Sequence, residues 1–295
     1  LDIIDSHVHF IDLARGNYAW LQPQNAPLWP DKALIQRSVT QADLQLTGPL
    51  SIRGLVHIEA GFDNQQPWRE IDYLEQTVSL PMRSVGGITL TEQKADYVLD
   101  QLQQYRSVVG VRHILDEQAT LVLANTLAQR HMASLAARGL HFEAQLPATD
   151  TPGVDLLCEQ LSRHSLRCIV NHAGFPPLPA QSRVFAADDT LYQLWLANMA
   201  KLAAHELCVV KVSGFEMLSD KRTLDTQYIS RVINDLVNMF SPARVMLAGN
   251  FPLCLLATTY RHTWQTYLQS CPAQYQQALC HDNAAQWYGF TPRLA

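Results

Sequence analysis

Charge is scarce in this chain. Only 17% of its 295 residues are charged, and 22 basic residues against 27 acidic ones leave a net charge of −5. Such a balance offers no polybasic surface for a phosphate backbone, which argues against a nucleic-acid partner. The same scarcity beside 47% hydrophobic residues excludes an acidic disordered protein. Long apolar runs are missing too. None approaches the roughly 18 residues of a membrane-spanning helix. No basic residue precedes Arg15, so the basic start of a secretory signal is lacking and a cytoplasmic location is expected. Cys158, Cys168, Cys208, Cys254, Cys271 and Cys280 form no C-x-x-C pair, and several lie inside apolar runs. That predicts buried, reduced thiols rather than a disulfide frame. Neither G-x-G-x-x-G nor a P-loop occurs, and no internal repeat or low-complexity linker divides the chain.

What is present is alternation. Eight short β-rich apolar runs fall at 3–10, 51–60, 84–90, 108–115, 139–146, 167–174, 207–214 and 244–252. Amphipathic helical patterns fill gaps between them at 67–79, 92–105, 121–138, 152–164, 190–205 and 226–240. Thr151 before Pro152 reads as an N-cap. Alternating β and α elements imply parallel strands with helical crossovers, and eight units over this length predict an α/β fold of the (β/α)₈ TIM-barrel type. A doubly wound open sheet is the alternative. The whole chain, 1–295, is read as one barrel domain. Two Pro-bearing stretches, 11–33 and 173–189, follow strands one and six, on the rim where barrel enzymes build their sites.

The candidate chemistry gathers on that rim. His7 and His9 are two apart near the end of the first strand, so both imidazoles face one way. Converging imidazoles suit a metal ion or the polar floor of a site. His172 ends the sixth predicted strand, and Asn250 ends the eighth, beside the first where a barrel closes. On the second strand His57 and Glu59 are read as sharing a face. His57 is placed as a substrate contact and Glu59 as a carboxylate for general-base work. Arg112 and His113 are adjacent on the fourth strand and must point to opposite faces, so one of them meets the site. An arginine there could grip a carboxylate or a lactone carbonyl. Lys211, charged within an apolar strand, binds substrate or pairs with Glu59 or Asp5. His131, His164, His205, His262 and His281 are assigned to the surface by default.

Six segments carry a family resemblance. They are "IIDSHVHFIDLARGNYAWL" at the start, "GVRHILDE" at 110–117, "IVNHAGFP" at 169–176, "VVKVSGFEM" at 209–217, "RVMLAGNFPL" at 244–253 and "HDNAAQWYGF" at 281–290. In this order they resemble the amidohydrolase superfamily, in its amidohydrolase-2 branch of sugar lactonases and 2-pyrone-4,6-dicarboxylate lactonases. The resemblance implies a distorted barrel that hydrolyses its substrate with an attacking water, with a metal in some branches and without one in others. It implies that His7 and His9 are the first-strand pair, His172 the sixth-strand His, and Arg112 with His113 the fourth-strand pair. Asn250 departs from the pattern. It stands where most members carry the Asp of S-D-W-P, and a neutral amide cannot take a proton from water. The fifth strand also lacks a His near its end, since His141 comes early, so a two-metal site is not expected.

The resulting expectation is a lactone hydrolase with a small-molecule substrate and no membrane partner. His172, Asn250, Glu59, Arg112 and His113 form its catalytic group, and His57, Lys211 and Arg112 its substrate contacts. His7, His9 and His172 are the metal candidates, for at most one divalent ion, zinc by ligand type, or none. A related decarboxylase and a catalytically weakened sugar-acid-binding protein are the alternatives.

Overall fold

A computed structural model describes residues 1–179 and 189–290. Eight parallel strands run in sequence order: β1 (Asp2–Val8), β2 (Ser51–Ile58), β3 (Met82–Gly87), β4 (Val108–Ile114), β5 (His141–Gln145), β6 (Cys168–Val170), β7 (Cys208–Val212) and β8 (Val245–Leu247). They are nearly closed into a barrel. Val8 bridges in parallel to Phe251 just beyond β8, and the His9 amide donates to the Phe251 carbonyl at 2.7 Å. The helices α1 (Trp68–Thr77), α2 (Ala95–Leu102), α3 (Ala119–Ala124), α4 (Thr126–Ala137), α5 (Thr151–His164), α6 (Thr190–Ala203), α7 (Thr226–Phe240), α8 (Tyr260–Ser270) and α9 (Asn283–Tyr288) follow the strands. This is the (β/α)₈ barrel expected from the alternation.

α7 illustrates why the helices form where they do. Ile229, Val232, Ile233, Leu236, Val237 and Phe240 recur at helical spacing, and all are buried. Burying each such side chain stabilises by about 1.5–3 kcal/mol. Asp225 caps the start by accepting from the amides of Gln227 and Tyr228 at 2.9 and 3.0 Å, worth ~1 kcal/mol. Inside the barrel, Ile4, Val56, Ile58, Val85, Ile169, Val209 and Met246 pack against Tyr288 of α9, which fills the lower end.

Several boundaries differ from the sequence reading. The expected helix over 121–138 is two helices broken at Asn125, whose side chain caps α4 through the amides of Leu127 and Ala128. Asp150, not Thr151, caps α5. The helices α8 and α9 have no counterpart among the periodic segments. Strands β6 and β8 are only three residues long, so His172 and Asn250 lie past the strand ends. Part of the expected 173–189 loop, 180–188, lies outside the described residues. Among the described residues, no helix is long and apolar enough to cross a membrane.

Asp5 joins the two ends of the sheet. Its carboxylate accepts from the His7 amide at 3.0 Å, the Gly249 amide at 2.9 Å and the Tyr260 hydroxyl at 2.8 Å. Burial pushes this carboxyl up to about 6 in spite of those donors. Gly249 is required here, because a Cβ would collide with the Asp5 carboxylate.

Candidate active site

Three imidazoles meet at the C-terminal mouth of the barrel. His7 Nε2 and His9 Nε2 are 3.1 Å apart, and the rings of His7 and His172 stand 4.6 Å apart. His9 Nδ1 lies 2.8 Å from the Ile58 carbonyl, which can only accept. Nδ1 of His9 is therefore protonated, its Nε2 accepts, and His7 Nε2–H is the donor between the two rings. His7 Nδ1 is then an acceptor, buried and without a hydrogen-bond partner. Burial drives all three rings to the neutral form. His7 and His9 fall well below the usual imidazole range, and His172 falls to about 3. The nearby charges of Lys211 and Arg112 add to the effect on His7, and those of Arg112 and Lys211 to that on His172.

His172 is held in strained backbone. It adopts φ 52° and ψ 38°, and Ala173 and Phe175 beside it are also left-handed. Such residues persist only where surrounding contacts over-determine them, and they cluster at functional sites. Here Ser213 Oγ sits 2.9 Å from His172 Nδ1. Gly214, with φ +75°, lets the ring approach, since a Cβ would stand 2.6 Å from Nδ1.

Arg112 and Glu59 form the second half of the cluster. Arg112 Nε donates to Glu59 Oε1 at 2.8 Å, and Nη2 lies 2.6 Å from the same oxygen. Nη2 also donates to the Glu59 carbonyl, and Nη1 to Gln145 Oε1 at 2.9 Å. Glu59 Oε2 has no hydrogen-bond partner among the described residues, and the side chain keeps 14% of its surface open. Burial raises the Glu59 pKa, and the Arg112 charge works against that rise. A carboxylate clamped through one oxygen and open at the other can accept a proton.

His113 points the other way, as alternation on a strand requires. Its Nδ1 accepts from the Leu90 amide at 3.2 Å, so Arg112 is the member of the pair that joins the cluster. His57 needs a correction. It does not share a face with Glu59: its Nε2 lies 3.1 Å from Glu70 Oε1 on α1, and its Nδ1 faces the Phe10 amide. β2 ends at Ile58, so the alternation that would align the two residues stops before Glu59. His57 ties strand to helix and is not placed to touch substrate.

Lys211 is also reassigned. It pairs with neither Glu59 nor Asp5. Nζ bridges both oxygens of Glu143 on β5 at 2.9 and 2.6 Å, and the Tyr288 hydroxyl donates to Glu143 at 2.6 Å. Burial alone would raise the Glu143 carboxyl, but the Lys211 ammonium and His141 outweigh it and hold the group at about 2. This ionised pair lies fully enclosed inside the barrel, with no exposed surface to offer a substrate. His131, expected at the surface, is not there either. It is fully buried and bonds through Nδ1 to the Leu90 carbonyl at 2.7 Å.

Asn250 sits past β8 in a left-handed turn at φ 50°. Its Nδ2 donates to Glu216 Oε1 at 2.5 Å, and both side chains are buried. Burial lifts the Glu216 carboxyl to about 7, although the Asn250 contact pulls it down. Sequence reasoning passed over Glu216, Ser213 and Glu143. The first two stand within four residues of the β7 end, where the rim rule that selected His172 applies equally.

As for a metal, two imidazole nitrogens converge, and among the described residues no third ligand joins them. Among the described residues, no three His, Cys, Asp or Glu side chains come together in a metal-holding group. This donor set does not fit a tightly held ion, which takes three or four protein ligands in zinc sites.

Residues 4–290 match the family model described as Amidohydrolase (Amidohydro_2). A curated relative, L-fucono-1,5-lactonase from Burkholderia multivorans, is 26% identical, covering 87% of this chain and 84% of that protein. In fold, the chain resembles a crystal structure of an amidohydrolase from Burkholderia multivorans with a TM-score of 0.78 at 23% identity, over 98% of this chain and 99% of that one. It also resembles a putative 2-pyrone-4,6-dicarboxylic acid hydrolase from Pseudomonas putida, with a TM-score of 0.70 at 21% identity, over 98% and 97% of the two chains.

Proposed function

Since the chain belongs to this amidohydrolase family and is a hydrolase, we propose that it opens a small hydroxylated lactone, such as a sugar lactone, by attack of water at the barrel mouth. The observation that carries this reading is the meeting of three neutral imidazoles with an arginine-clamped, half-open carboxylate. His9 spends its N–H on the Ile58 carbonyl and His7 its own on His9, so His172, with Ser213 donating to its Nδ1, is the neutral ring left to donate to a lactone oxygen through Nε2–H. Arg112 and His172 polarise the lactone carbonyl. Water adds to that carbon, and Glu59 Oε2 takes its proton. The bond to the ring oxygen then breaks, and the proton passes from Glu59 to the departing alkoxide, giving the open hydroxy acid. The relationship to a protein named as an L-fucono-1,5-lactonase supports the choice of substrate class.

Proton release on a panel of aldono-1,4- and aldono-1,5-lactones tests the reading. Turnover of at least one lactone is expected, with a roughly 10²–10⁴-fold loss of rate in Glu59→Gln, the usual worth of general-base assistance. A wild-type protein inert on the whole panel overturns it.

A further inference from the structure

The turns that follow β7 and β8 touch through Glu216 and Asn250. One atom of each side chain is used in the contact, Glu216 Oε1 and Asn250 Nδ2. The other atom of each, Glu216 Oε2 and Asn250 Oδ1, is buried without a hydrogen-bond partner. Buried polar atoms are seldom left unpaired, and each exception asks for a reason. The backbone of Asn250 is fixed in place. Its carbonyl accepts from the Cys254 amide at 3.1 Å, and the next residue, Phe251, bridges to Val8 and accepts from the His9 amide. Asn250 thus stands at the β1–β8 seam, one residue before the backbone that pairs with Val8 and His9. What the backbone leaves undetermined is which end of the amide turns which way. In the ionised form, which the Asn250 contact favours, the Glu216 oxygens can only accept, so Nδ2 is drawn to that side and Oδ1 is assigned to the other.

We propose that Glu216 is the positioning residue of Asn250 and that the two act as one unit. Glu216 takes the amide nitrogen, and Asn250 Oδ1 is left as the acceptor that orients the attacking water beside His7 and His9. Neither residue gains or loses a proton in this role. The water's proton still goes to Glu59. The inference rests on the hydrolytic reading above for the water, and on the contact itself for the unit.

A four-protein cycle tests it: wild type, E216Q, N250D and the exchange variant E216Q/N250D, with E216A alongside. N250D sets two carboxyls against each other, whereas the exchange restores one carboxyl and one amide and still presents an oxygen acceptor. On a lactone that the wild type turns over, E216A and N250D should lose about 10-fold or more in kcat with KM within about 3-fold, because orientation of water is felt in the transition state. The exchange should recover to within about 5-fold of wild type. An unchanged kcat in E216A, or single losses that multiply in the exchange, overturns the proposal. Melting temperatures of the same proteins give a readout without substrate. N250D should melt lower and the exchange should return toward wild type, whereas melting shifts that simply add would overturn the unit. If E216A fails to fold, E216Q and the exchange decide. If no lactone is turned over by wild type, the hydrolytic reading fails, and the melting cycle still judges the pair.

Discussion

Lys211→Met removes the ammonium that bridges both oxygens of Glu143. The pair is fully enclosed, so water cannot replace the lost partner. Breaking one side of a buried ion pair typically costs about 3–5 kcal/mol, because the remaining charge is left uncompensated. The pH dependence gives the test its sign. In the wild type the Glu143 carboxyl lies at about 2, against an ordinary value of 4.5. A depressed carboxyl contributes stability above 4.5 and loses it as pH falls toward 2. In the variant, burial is opposed only by His141 and the Tyr288 hydroxyl, so the same carboxyl rises, Glu143 becomes a poorly compensated buried charge at neutral pH, and it protonates on milder acidification. Urea unfolding followed by tryptophan fluorescence should show a loss of about 3–5 kcal/mol at pH 7, narrowing by at least ~1 kcal/mol at pH 5. Lys211→Met combined with Glu143→Leu removes both charges and should recover most of the loss. A loss below ~1 kcal/mol at pH 7, or one that does not change with pH, refutes the reasoning.

Two further outcomes are expected. Arg112→Ala should raise KM and lower kcat/KM on a lactone substrate, by about 2–5 kcal/mol in transition-state terms, since it removes the carbonyl contact and unclamps Glu59; steady-state kinetics identical to wild type would take Arg112 out of the site. Elemental analysis after exhaustive dialysis should find well under one zinc per chain, because only two imidazole nitrogens converge; two stoichiometric metals per chain would contradict the geometry described for the site.

The barrel was legible because alternation of apolar runs and amphipathic helices is a local property, and so was the His7–His9 pair, which needs only the two-residue repeat of one strand. Arg112 against His113 was settled in kind by the same repeat, and the structure chose the member. The failures are non-local. Glu143 and Lys211 lie 68 residues apart and meet only because β5, β6 and β7 stand in register. His57 failed for a smaller reason: the strand stopped one residue short of Glu59. His131 failed because helix position alone does not say which face turns inward. Glu216 was within reach, as an acid just past an expected strand end, but the apolar residues around it masked the signal.

The carboxylate of Asp5 reaches across 244 residues to the Gly249 amide. During synthesis, His7 and His9 leave the ribosome well before Phe251, yet the seam that holds them cannot shut until Phe251 has followed. Until then the chain carries β1 with one unpaired edge and a nascent set of imidazoles with no neighbour from the far side. Open strand edges of this kind invite pairing with other chains. Contacts of such long sequence separation also form slowly. Proteins cut short before residue 250 should accordingly collect in aggregates, and restoring the final stretch of chain should return them to solution.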